Sequence, residues 1–180
     1  QGGCAGYGLR RMLVDLSGAL KGELASGEHK SIQTDRVILV PGPEQEQGVV
    51  KDVYRWFIDD GLCEAEIAQR LNRMELRTDL ARTWSRGTVH QVLTNEKYIG
   101  NNVYNRVSFK LKRMRVVNPP SMWIRKDGAF QPIVAPDAFF TAQGIIRARA
   151  RRYTDEQLIE RLRALFRDRG RLSSLLIDET

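Results

Sequence analysis

Apolar positions along the chain fall into distinct rhythms. From Pro43 to Asp60 they recur at Val49, Val50, Val53, Tyr54, Phe57 and Ile58, the spacing that gathers one stripe on one side of an α-helix. Pro43 suits the first turn, and Glu44 and Glu46 complement the positive end of the helix dipole. The outer face carries acids, so it should point away from any nucleic acid. Glu64 to Asn72, EAEIAQRLN, predicts a shorter helix with Ile67, Ala68 and Leu71 inward. Asn72, which tolerates positive φ, is expected to end it. A polar connection follows, and then Trp84 to Gly100, WSRGTVHQVLTNEKYIG. There Ser85 is a cap able to accept from the Thr88 N–H. Trp84 is expected to staple onto Val89, and Val89, Val92 and Leu93 share a face. The opposite face holds Gly87, Gln91 and Thr94, flanked by Arg86 and His90, with no carboxylate on that helix.

Strand patterns flank these helices. Leu9 to Leu16 reads as a strand, Ser17-Gly18 as a turn, Leu24 to Lys30 as a polar loop and Arg36 to Val40 as a second strand. Together they predict a small antiparallel sheet. Asn101 to Arg106 and Val107 to Val117 predict a hairpin or extended arm. Trp123 to Val134 reads as a second strand pair turning at Asp127-Gly128. Pro136 to Arg152 is a helix expected to bury Phe139, Phe140, Ile145 and Ile146. Thr154 is placed to cap another, with Leu158, Leu162, Leu165 and Phe166 on one face. The fold class is α+β: a helical core containing a helix-turn-helix, with a small antiparallel β-sheet and hairpins.

A chain of 180 residues suits one domain, or one with an appendage, and 42% hydrophobic residues can fill a core. The net charge of +7 and a pI near 9.7 favour a polyanionic partner. From Lys97 to Lys126 there are eight Lys or Arg and no Asp or Glu, interleaved with Tyr104, Phe109 and Trp123. A run of one sign beside a polar-faced helix is best explained by phosphates. Arg86, Gly87, His90, Gln91 and Thr94 are therefore the candidate base-edge residues. Lys97, Arg106, Lys110, Lys112, Arg113 and Arg115 are the candidate phosphate contacts. Arg147, Arg149, Arg151 and Arg152 either touch a backbone or solubilise a helix end. Cys4 and Cys63 lie far apart without a CxxC, so neither a zinc set nor a disulfide framework is implied. His29 has no ligand set around it. No cofactor, metal or membrane span is expected. Ser85 sits near Arg86 and His90, but its spacing fits a cap, and the sequence places no carboxylate to orient His90. An enzymatic alternative is a metal-dependent nuclease using Asp52, Asp59 and Asp60. A third is a basic protein-interaction module.

IAQRLN followed by WSRGTVHQVLTNEKYIGNNVYNR resembles the recombinase domain of large serine recombinases, the serine integrase and transposon-resolvase family. Matching positions are Ile67, Ala68, Leu71, Asn72, Trp84, Ser85, Val89, Leu93, Asn95, Tyr98, Gly100 and Arg106. Gly2, Gly3, Tyr7 and Gly8 resemble the domain's opening. Gln131 to Val134 and Phe139 resemble its end. Cys4-Ala5-Gly6, where proline is usual, and Cys63, where a small cap is usual, depart from the pattern. The resemblance implies a recombinase DNA-binding domain over residues 1–152, then the start of a truncated helical module over 153–180. It implies binding to double-stranded attachment or resolution sites, in a bacterial or phage-encoded cytoplasmic protein that is homo-oligomeric through other domains. The family's serine nucleophile belongs to a separate resolvase-type domain, so this segment is expected to bind DNA without chemistry of its own.

Overall fold

The computed structural model describes residues 5–25, 27–28, 34–110, 114–150, 159–160, 162–164 and 166–167. Two compact units emerge, Gln1–Ile145 and Ile146–Thr180. In the second, the described residues from 159 to 167 are helical.

The first unit opens with a three-stranded antiparallel sheet, ordered β2-β1-β3. Its strands are β1 (Leu9–Val14), β2 (Leu20–Leu24) and β3 (Arg36–Pro41). The sheet was expected, but β2 was not: its LKGEL is exposed except at Leu24, so it lacks the alternation that marks a half-buried strand. β1 also stops earlier than expected, because the turn at Leu16 and Ser17 is held by the Asp15 carboxylate, which accepts from the Ser17 and Ala19 N–H groups.

The sheet is tied to helix α1 (Glu44–Ile58) through Glu46. Its carboxylate accepts from the Gly8 N–H at 3.1 Å and from both terminal nitrogens of Arg10, at 2.9 and 2.6 Å. α1 buries Val50, Val53, Tyr54, Trp56 and Phe57. Trp56, outside the predicted stripe, is covered by the α2 guanidinium of Arg70, 4.4 Å from its ring centre.

Helix α2 (Glu64–Arg73) buries Ile67, Ala68 and Leu71, and helix α3 (Arg86–Thr94) buries Val89, Val92 and Leu93. The two pack on each other, and α1 packs on both. Asn72 does not end α2. It lies within the helix, and its side chain accepts from the Trp84 N–H at 2.8 Å and donates to the Trp84 carbonyl at 2.9 Å. The positive φ comes later, at Glu75 (57°) and Ala81 (56°). Thus the long connection is ordered rather than slack: Thr78 and Arg82 exchange hydrogen bonds.

A 3₁₀ turn at Glu96–Ile99 follows α3 and ends at Gly100 with φ 84°. A Cβ there would lie 2.5 Å from the Phe130 carbonyl oxygen, so only glycine fits. The paired strands β4 (Asn102–Tyr104) and β7 (Ile124–Lys126) come next, with the hairpin β5 (Val107–Lys110) and β6 (Met114–Val117) inserted between them. The expected second strand pair within Trp123–Val134 is therefore replaced: only β7 forms, and its partner is β4.

Helix α4 (Pro136–Arg149) buries Phe139 and Ala142. Phe140 is instead exposed, and Ile145 and Ile146 are half-buried. Tyr98 joins distant segments. Its hydroxyl donates to the Tyr7 carbonyl at 2.9 Å, and its own carbonyl accepts from the Ile133 and Val134 N–H groups at 2.9 and 3.0 Å.

Candidate nucleic-acid interface

α3 is fixed at both ends. At its start the Ser85 hydroxyl accepts from the Thr88 N–H at 3.3 Å, and the Thr88 hydroxyl lies 2.8 Å from the Ser85 N–H, a reciprocal capping box. At its end the last carbonyls lack helical partners, and two of them are met by side chains. The Tyr54 hydroxyl of α1 donates to that of Val92 at 2.9 Å, and the Gln143 amide of α4 to that of Leu93 at 2.7 Å. Burial pushes the Tyr54 phenol well above the ordinary tyrosine range, with a smaller push from Tyr98. Burial does the same to Tyr98, with smaller contributions from Asp79, Tyr7 and Glu46. Both phenols are thus held neutral as hydrogen-bond donors. Trp84 is buried and meets Tyr7 edge-on, ring centres 4.9 Å apart.

This anchoring leaves Arg86, Gly87, His90 and Gln91 exposed on the far side, with Thr94 half-buried. The Thr94 hydroxyl donates to the His90 carbonyl at 2.7 Å, so its hydrogen is committed to the helix. A Cβ built on Gly87 meets only the Ser85 hydroxyl, at 3.8 Å, so the helix surface is open there. One expectation is corrected. A carboxylate does orient His90, and it comes from α2: Glu64 Oε1 lies 3.2 Å from His90 Nδ1. No spacing in the sequence joins residues 64 and 90; only the packing of α2 on α3 does. An open recess of about 610 Å³ borders the helix, lined in part by Gln91, Asn95, Lys97, Arg82 and Asp79.

The arm is anchored at Asn118, which sequence reasoning missed. Its side-chain amide donates to the Asn105 carbonyl at 2.8 Å, its carbonyl accepts from the Trp123 indole at 2.9 Å, and its N–H donates to the Arg106 carbonyl. Asn105, at φ 62°, turns the chain from β4 into β5. The sequence signal that could have found it is the run Asn118-Pro119-Pro120, since proline interrupts a strand ladder.

Arg106 is exposed, its guanidinium 5.0 Å from the Trp123 ring centre, and Arg115 is exposed on β6. Lys97 is half-buried on the 3₁₀ turn. Lys112 and Arg113 lie outside the described residues, as does the Lys110 side chain. Arg125, by contrast, is neutralised by Glu96 and Asp127, the acids bounding the acid-free run, at 2.5 and 2.7 Å. Tyr104 and Ile124 face each other across β4 and β7, both exposed.

Two of the three carboxylates of the nuclease alternative are engaged elsewhere. Asp52 pairs with Arg55 at 2.8 Å and Asp60 with Arg70 at 3.7 Å. Among the described residues no group of three or more His, Cys, Asp or Glu could hold a metal ion. Nor is any helix among them long and apolar enough to cross a membrane.

Residues 44–149 match the family model described as Recombinase. No curated protein matches. Two solved structures are similar at 17% identity over 69% of this chain. One is an LSR–DNA complex, with a TM-score of 0.42 over 34% of its own length. The other concerns the sequence requirements of the Listeria innocua prophage attP site, with a TM-score of 0.41 over 46% of its length. The chain thus spans between a third and a half of each.

Proposed function

This chain belongs to the Recombinase family, and on that premise we propose that it is the DNA-binding recombinase domain of a site-specific serine recombinase. Its ligand in this reading is double-stranded DNA at an attachment or resolution site. The observation that carries it is the exposed polar surface of α3, held rigid by side chains from α1 and α4. A helix fixed on its buried side and open at Gly87 is suited to a major groove. Arg86 is assigned to guanine edges, Gln91 to adenine, and His90 and Thr94 to positions beside them. α2 and α3 act together as the helix-turn-helix.

Lys97, Arg106 and Arg115, with Lys110, Lys112 and Arg113, are assigned to phosphates, part of the arm following the minor groove. We place the domain over residues 1–152, with a helical module beginning at 153. The phosphodiester chemistry belongs, in this reading, to a resolvase-type domain of the parent, which assembles as a homo-oligomer in a bacterial or phage-infected cytoplasm. Ser85 supports this division, because its hydroxyl is engaged in the α3 cap.

Selection from a pool of random duplexes tests the assignment. The chain should enrich a defined sequence. Arg86→Ala and Gln91→Ala should each relax preference at one or two positions, by about 1–3 kcal/mol per lost bidentate contact. Variants that keep full specificity would refute the groove assignment. Binding to proteins without salt-sensitive DNA affinity would favour the interaction module instead.

A further inference from the structure

His90 stands on the proposed reading surface, yet its ring is gripped from the neighbouring helix. Glu64 is the first residue of α2. Its side chain is only 12% exposed, against 46% for His90. We propose that Glu64 is a positioning residue for DNA recognition: by holding His90 Nδ1, it directs Nε2 outward as the atom presented to the duplex. The inference rests on the reading of α3 as the DNA-facing helix.

An ionised carboxylate can only accept hydrogen bonds, so the 3.2 Å contact requires the hydrogen on Nδ1. A neutral ring held this way presents Nε2 as a bare acceptor, suited to the amino hydrogens of adenine or cytosine. A protonated ring presents Nε2–H as a donor, suited to guanine or to a phosphate. In either form the hydrogen on Nδ1 stays with Glu64, so Nε2 is the ring atom left to face the duplex.

The surroundings keep Glu64 ionised. Burial pulls its carboxyl upward, but bonding to its own N–H, the His90 contact and the charges of His90 and Arg86 outweigh this and hold it below the usual carboxylate range. Outside the pair, the charge of Arg86 on α3 also acts on Glu64. α1 brings the Tyr54 hydroxyl to α3, and that group is neutral and bonded to Val92.

Glu64 has an effect that separates positioning from simple charge. Deleting a negative charge near DNA should, by Coulomb's law alone, strengthen binding to every duplex. A positioning residue does the reverse, and only for the preferred sequence.

The test uses the full chain with two probes: the best duplex recovered by random-pool selection, and a scrambled duplex of equal length. Affinities are measured by fluorescence anisotropy near neutral pH. His90→Gln should bind the selected duplex more weakly than the parent and the scrambled duplex equally well. Glu64→Gln should bind the selected duplex about three- to tenfold more weakly near neutrality, the scale of one charge-assisted contact, with no loss on the scrambled one. Nitrogen-15 spectra of the His90 ring near pH 8 should show hydrogen on Nδ1 in the parent and a mixture in Glu64→Gln.

A parent ring with its hydrogen on Nε2 overturns the proposal whether or not the variant folds. So does a Glu64→Gln chain that weakens both duplexes equally, or neither. A parent with no preference for any duplex defeats the DNA reading itself, and this inference with it.

Discussion

Removing the Trp84 indole tests how α3 is held. The side chain is 4% exposed and packs edge-on against Tyr7. The two hydrogen bonds that Asn72 makes here go to the Trp84 backbone, so they survive any side-chain change. Trp84→Ala should therefore cost the side-chain packing alone, about 3–5 kcal/mol for a buried aromatic. Of this, about 0.5–1.5 kcal/mol belongs to the edge-on ring pair.

The indole N–H modifies the comparison. It is buried with no acceptor, a state that costs about 1–3 kcal/mol. Trp84→Phe deletes that unsatisfied donor while keeping much of the aromatic surface, so its net cost should be small, about 1 kcal/mol or less. Urea denaturation followed by circular dichroism gives both stabilities, and DNA affinity is measured on the same samples. Trp84→Ala should lose binding only in proportion to the fraction unfolded. The reasoning fails if Trp84→Phe is as damaging as Trp84→Ala, which would mean the N–H had a partner. It also fails if Trp84→Ala melts like the parent yet no longer binds, which would move Trp84 to the DNA surface.

Gly100→Ala combines left-handed backbone strain with a forced shift of Phe130, and should lower stability by about 2–4 kcal/mol, read as a fall in thermal midpoint; an unchanged midpoint would contradict the 2.5 Å approach. Arg106→Ala and Arg115→Ala should weaken binding to all sequences alike and lower the salt slope by about one unit each; several such variants with the parental slope would remove the arm from the interface. The Tyr54 and Tyr98 phenols are raised by burial, so the stability they contribute is present below the ordinary tyrosine value of about 10 and lost as pH rises through and above it. Alkaline difference absorbance should show these two ionising only together with unfolding; full ionisation in a still-folded chain would argue against their burial.

What could be read from the sequence was local. The α3 cap, its buried face and the α1 stripe each depend on residues within one or two turns, and all are present. What escaped was set by packing between distant segments. Asn72 looked like a helix stop because its side chain's partner, the Trp84 backbone, lies 12 residues away. β2 carries little apolar signal because β1 alone recruits it. The polar face of α3 was visible, but the Glu64 contact was not, since charge patterning along one helix says nothing of a carboxylate on the next. The basic run from Lys97 to Lys126 was legible as a run of one sign, whereas the neutralisation of Arg125 depended on Glu96 and Asp127 just beyond it.

The bonds that seat α3 also set the order in which the chain can mature during synthesis. Residues 86–94 are made before any of the groups that close their underside from the C-terminal side. Gln143, which secures the Leu93 carbonyl, is 50 positions downstream, and the Ile133 and Val134 N–H groups that meet Tyr98 are also still to come. At about 5–20 residues per second, α3 waits roughly 3–10 s on the ribosome before its last hydrogen-bond donor exists. During that interval the nascent chain has the sequence of α3 without the Gln143 bond that fixes its end. A fragment ending before Gln143 would carry α3 in its sequence but lack the side chain that fixes its end.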